Sequence, residues 1–148
     1  ERAVTRGRAA IIKAYYLKNS RDENLKAVMT MQLNDQTNYL PYLLGRLFSV
    51  LEAVQAAANP GINATIRDRY FNAASATPAN VFSLLLNLAQ KHLAKLDKGQ
   101  EVYYDKQITA ICGMIGETLP ARMNLPEQSA FQLGYYHETQ KRYTKKEG

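Results

Sequence analysis

The side chains best suited to nucleophilic, acid–base or metal chemistry are two histidines and one cysteine, and their spacing forms no reactive set. His92 and His137 fall in separate helical patterns with no nucleophile at a useful offset. Cys112 lies between Ile111 and Ile115 on an apolar face, where burial disfavours the thiolate that a nucleophilic cysteine needs; it is read as a structural core thiol. Three scattered residues also lack the paired ligand spacings of zinc sites. Gly113-Met114-Ile115-Gly116 has neither the lysine nor the hydroxyl of a phosphate-binding loop. The acids stand apart, often beside bases, as Asp68 does between Arg67 and Arg69. These residues point to a chain that is not an enzyme and that needs no metal and no other cofactor. Asn63-Ala64-Thr65 matches the glycosylation triplet by chance, since no secretory signal core precedes it.

Basic residues offer a different chemistry. The formal net charge is +6, and the excess sits in three blocks. Residues 1–18 hold five bases against one acid, residues 63–98 five against two, and residues 137–148 four against two. Blocked positive charge favours a polyanionic partner. Asn80, Asn87, Lys91, Lys95 and Lys98 follow one another at offsets of seven, four, four and three, which on one helix lines amides and ammonium groups along one side. Such a line suits a phosphate backbone and carries no base readout. A solvated helix face is the plain alternative for any charged stripe. Arg67 and Arg69 are further candidates, either for phosphate or for pairing with Asp68 or Asp105. Arg2, Arg6 and Lys13 share a helical face in the first block. Arg46, inside the apolar run Leu44–Leu51, reads instead as a structural arginine paired with an acid or snorkelling. Ten tyrosines include the pairs Tyr15-Tyr16, Tyr103-Tyr104 and Tyr135-Tyr136. Helical neighbours point about 100° apart, so one ring of each pair is expected in the core and the other at its edge.

The elements that must position these groups are helices. A basic amphipathic segment spans Arg2 to Lys18, and Leu25 to Leu33 is a short helix or an irregular packed stretch. Asn38 is the expected cap of a helix over Tyr39 to Ala58, with Pro41 in its first turn and Leu40, Leu43, Leu44, Leu47, Leu51 and Val54 on its buried face. Asn59-Pro60-Gly61 predicts a type II turn. A short helix from about Asn63 to Ala74 carries Ile66 and Tyr70 inward. Thr77-Pro78 opens a helix expected to run to Lys98, burying Val81, Leu84, Leu85, Leu88, His92 and Leu96, with Gly99 as its C-terminal glycine. The next helix, about Gln100 to Ile115, buries Val102, Ile108, Ile111 and Ile115. The last begins at Asn124, with Glu127 completing a capping box. No alternating strand pattern competes. The expected fold is all-α, a compact bundle of five to seven helices forming one domain over residues 1–148.

Composition agrees with that picture. Of 148 residues, 46% are hydrophobic and 22% charged, which suits a folded domain rather than a disordered chain. One cysteine forms no internal disulfide, as expected of a reducing, cytoplasmic setting. No apolar run approaches the ~20 residues of a membrane span.

Longer stretches carry a resemblance. Tyr42-Leu43-Leu44-Gly45-Arg46-Leu47-Phe48, continuing through Ser49-Val50-Leu51-Glu52, is similar to the C-terminal region of the large subunit of type I-C CRISPR Cascade complexes. So are Asn59-Pro60-Gly61-Ile62-Asn63-Ala64-Thr65-Ile66 with Asp68-Arg69-Tyr70-Phe71, then Ala74-Ser75-Ala76-Thr77-Pro78, Gln90-Lys91-His92-Leu93 and Leu133-Gly134-Tyr135-Tyr136-His137. Their order and spacing span nearly the whole chain. In that family the same region is also made separately as the Cascade small subunit, which a chain of this length resembles. The resemblance implies a helical bundle beside guide RNA, backbone and large subunits, present in more than one copy and helping to hold opened DNA without cutting it. The alternative is a bridging subunit, or the end of the large subunit, whose basic blocks face protein acids or guide RNA.

Overall fold

The computed structural model describes residues 37–147. The segments expected over Arg2–Lys18 and Leu25–Leu33, with Arg2, Arg6, Lys13, Tyr15 and Tyr16, lie outside the described residues. Within them the chain forms five helices and no strand: α1 Leu40–Ala58, α2 Ile66–Ala76, α3 Pro78–Leu93, α4 Lys98–Ile115 and α5 Leu125–Glu147.

Helix α1 is the axis of the bundle and touches each of the other four. Every residue from Pro41 to Leu51 is buried, so the leucine stripe read from the sequence is only part of what the helix hides. Its cap is Tyr39 without a side-chain bond, not Asn38; the Tyr39 N–H bonds back to Thr37 Oγ1 at 3.3 Å. Burial of a helix on all sides requires its polar residues to find partners. Arg46 does so by donating from Nε to Glu138 on α5 at 3.0 Å, as its place in an apolar run foretold. Ser49 Oγ bonds Thr139 Oγ1 at 2.7 Å, and Tyr42 Oη meets His137 Nδ1 at 2.8 Å.

Helices α1 and α5 approach through two glycines. A Cβ built on Gly45 would overlap the Phe131 carbonyl, and one on Gly134 the Tyr42 carbonyl. Backbone contact at this crossing brings Phe48 beside Phe131 and Tyr135. All four phenylalanines of the chain join there, Phe71 from α2 and Phe82 from α3 meeting Phe131 edge to face. Ring centroids lie 5.1–6.4 Å apart, the range in which ring edges find neighbouring faces.

Junctions follow the local chemistry. Ile62 N–H closes the predicted turn on the Asn59 carbonyl at 3.1 Å, and Gly61 takes φ 85°. Thr65 caps α2 in a capping box with Asp68, which moves that helix to Ile66–Ala76 and gives the glycosylation-like triplet a structural use. Asn124 and Glu127 exchange two 2.9 Å bonds at the start of α5, the box expected there. The α4–α5 loop is pinned to the α2–α3 junction, where Ala79 donates to Pro120 and Met123 to Ala76.

Three expectations are corrected. The helix opened by Thr77-Pro78 stops at Leu93 and does not reach Lys98. Asp97 accepts from Gln100 N–H at 2.9 Å and caps α4 instead, so Gly99 lies inside α4 and terminates nothing. The buried face of α3 is Val81, Phe82, Leu85, Ala89 and Leu93; Leu84 is 43% exposed, because the helix packs on α1 and α2 through the face that Phe82 and Ala89 share. On α4, Val102 is exposed and Tyr104 packs on the core in its place.

Candidate nucleic-acid interface

The three lysines of the stripe are exposed, but one helix does not carry them. Lys91 lies in the last turn of α3, Lys95 in the Ala94–Asp97 turn, and Lys98 is the first residue of α4. Asn80 and Asn87 are exposed on α3, opposite its buried face. The turn gathers the lysines at a corner between two helices, with Leu84 exposed in the same outward face of α3. Lys95 Nζ reaches Asn59 Oδ1 at 3.5 Å. Asn59 Nδ2 in turn donates to His92 Nδ1 at 3.3 Å. With Nδ1 accepting, the imidazole proton resides on Nε2, which is buried with no hydrogen-bond partner. Burial, and secondarily the charge of Lys95, lowers the His92 pKa below its ordinary value, so the ring is neutral at pH 7 and the corner's positive charge comes from the lysines, set against the Asp97 cap.

The two candidate arginines part company. Arg69 is exposed. Arg67 is half-buried, its guanidinium 5.4 Å from the centre of the Tyr135 ring and 5.9 Å from that of Phe71. Neither pairs with Asp68 or Asp105, the acids that the sequence offered; Asp68 is engaged with the Thr65 N–H at 2.9 Å. Among the described residues the one ion pair is Arg46–Glu138.

Arg67 lines an open cleft of about 600 Å³ between α1, the start of α2, the start of α4 and the second half of α5. Its walls include Glu52, Thr65, Tyr104, Tyr136 and Arg142. Glu52 holds the floor, accepting from Tyr135 Oη at 2.5 Å and from Thr65 Oγ1 at 2.9 Å. Burial and the neighbouring carboxylate raise the Tyr135 pKa far above the usual phenol value, so that hydroxyl is a permanent donor. Arg142 donates to Ser49 Oγ at 3.0 Å. The tyrosine pairs divide as expected: Tyr135 is buried and Tyr136 half-buried, while Tyr104 packs on the core and Tyr103 is 52% exposed.

Sequence reasoning missed Arg142. Glu138 four residues before it suggests a helical i,i+4 pair, yet Glu138 faces α1 and takes Arg46, leaving Arg142 to turn toward the cleft. Cys112 is half-buried against the core, and burial raises its thiol pKa, which fits the structural reading. No group of three or more His, Cys, Asp or Glu is placed to hold a metal among the described residues, and no helix there is long and apolar enough to cross a membrane.

No curated protein matches the chain. The family described as CRISPR-associated protein (Cas_Csd1) matches residues 1–143, and the chain therefore belongs to this family of type I-C Cascade components.

Proposed function

We propose that the chain is a non-catalytic small subunit of the type I-C Cascade, holding the DNA opened by the guide RNA through contacts that ignore sequence. The observation that carries this reading is the exposed lysine corner, Lys91, Lys95 and Lys98, in a chain of a CRISPR-associated family. Ammonium groups on flexible stems meet phosphates as point charges and read no bases. Exposed Asn87 and Arg69 extend the set, and Arg2, Arg6 and Lys13 belong to the same proposal. Exchange of a DNA duplex for a guide–target hybrid is nearly balanced, so modest contacts to the backbone tip it. The working form is a ribonucleoprotein with guide RNA, backbone and large subunits and further copies of this chain, in the cytoplasm. The test compares R-loop lifetime on a supercoiled target for guide complexes assembled with the chain, without it, and with Lys91, Lys95 and Lys98 all changed to Gln. The first should outlast the other two. Equal lifetimes in all three would leave only a bridging role.

A further inference from the structure

We propose that the cleft between α1, α2, α4 and α5 docks an acidic segment of a neighbouring protein subunit, and that Arg67 and Arg142 grip one of its carboxylates. The inference rests on the reading of the chain as a subunit of a larger complex, and it assigns the cleft a different partner from the lysine corner.

Both guanidiniums are held in place without a carboxylate among the described residues. Arg67 is fixed over two rings, and Arg142 is tied to the Ser49 hydroxyl. Such side chains lose little further freedom on binding. Guanidinium donors sit in a fork that matches a carboxylate in two parallel bonds. The charge of the lining decides between partners. Arg67 and Arg142 stand against Glu52, leaving one net positive charge on the walls. One positive charge balances a single carboxylate, whereas a nucleic-acid strand brings a phosphate with every nucleotide and would meet Glu52 on the floor. Each Glu52 oxygen already accepts a bond from within the chain, so this acid is held on the floor, and no ion pair joins it to either arginine. Tyrosine and arginine around a concave centre are also the residue types that dominate protein–protein binding energy. The lysines outside have the opposite character, being exposed and suited to a passing polyanion.

The experiment uses the guide complex assembled without DNA, purified through a tag on a backbone subunit, with the chain as wild type and as Arg67→Gln with Arg142→Gln. Loss of the double variant from the complex by about tenfold, with single-strand DNA affinity of the free chain unchanged, is the expected result. Retention at wild-type stoichiometry overturns the proposal. So does loss from the complex together with loss of DNA affinity, which would give the cleft to nucleic acid. Should the double variant melt well below wild type, Arg142→Glu replaces it: the side chain is half-exposed, Ser49 keeps its bond to Thr139, and the new charge repels a carboxylate. Hydrogen exchange needs no variant. Amides of residues 65–67 and 136–143 should gain protection on assembly, and unchanged exchange there overturns the docking. If the wild-type chain itself fails to co-purify, the parent reading falls first and this one with it.

Discussion

His92 shows how a single ring is set by its neighbours. Asn59 donates to Nδ1, Nε2 is enclosed, and Lys95 lies close enough to oppose a second positive charge. The folded-state pKa is therefore below the ordinary histidine value of 6.5. A depressed pKa means that the unfolded chain binds the proton more readily, so stability is fully present above about pH 6.5 and is lost as pH falls through the folded pKa. Urea midpoints of the wild type should drop between pH 7.5 and pH 5.5, and His92→Gln should show a smaller drop. Equal acid sensitivity in both would assign the effect to other groups. Cys112 makes the complementary point: its raised pKa and its contacts with the core mark a packing residue, and no chemistry is asked of it.

Helices meet in this protein through faces whose exact orientation matters. Leu85 is 1% exposed and Leu84 43%, although they are adjacent and chemically identical. Leu85→Ala should cost roughly 2–5 kcal/mol, and Leu84→Ala under about 0.5 kcal/mol. Chemical denaturation of the two variants measures this directly, and similar losses would put the α3 face in the wrong orientation. The α1–α5 crossing is stricter. Gly134→Ala places a methyl group on the Tyr42 carbonyl, and main chain does not yield as a side chain would. The expected loss is about 3 kcal/mol or more, despite alanine's better helix propensity. Gly113→Ala, whose Cβ would meet nothing within 4 Å, should instead gain a few tenths to about 1 kcal/mol. Melting curves that rank these two variants the other way would contradict the close approach.

On the scale of the whole molecule, charge is sorted by geometry. The lysine corner presents three exposed cations, while the cleft holds two guanidiniums, one over the Tyr135 ring and one bonded to Ser49. If the corner tracks a DNA strand, changing Lys91, Lys95 and Lys98 to Gln removes about three phosphate contacts. Each contributes about 0.9 to the slope of log affinity against log salt on duplex DNA and about 0.7 on a single strand. The slope should flatten by roughly two to three, equally for unrelated sequences, while the variant stays in the guide complex. Loss from the complex with normal DNA affinity per assembled particle would make the corner a docking surface.

Local chemistry by itself determined the helical class, the Asn59–Ile62 turn, the Asn124–Glu127 capping box and the burial of Leu43, Leu44, Leu47, Leu51 and Val54, because each depends on residues a few positions apart. Arg46 was legible as a structural arginine, since a charge inside an apolar run must either snorkel to water or find an acid. The partner's identity, Glu138, was not, since it arrives from a helix more than ninety residues later. That α3 ends at Leu93 was hidden by the continuing periodicity although its cause is a local cap: Asp97 captures the next helix start after Lys91 and Lys95 are passed. Tertiary structure alone decided how the helices cover one another. It also decided that Leu84 faces outward and that Arg67 and Arg142 share one cleft. Periodicity gives a helix a face but not the angle at which neighbours cover it. That angle follows from the contact of Gly45 and Gly134 with the opposite main chain, a long-range fit that no local pattern contains.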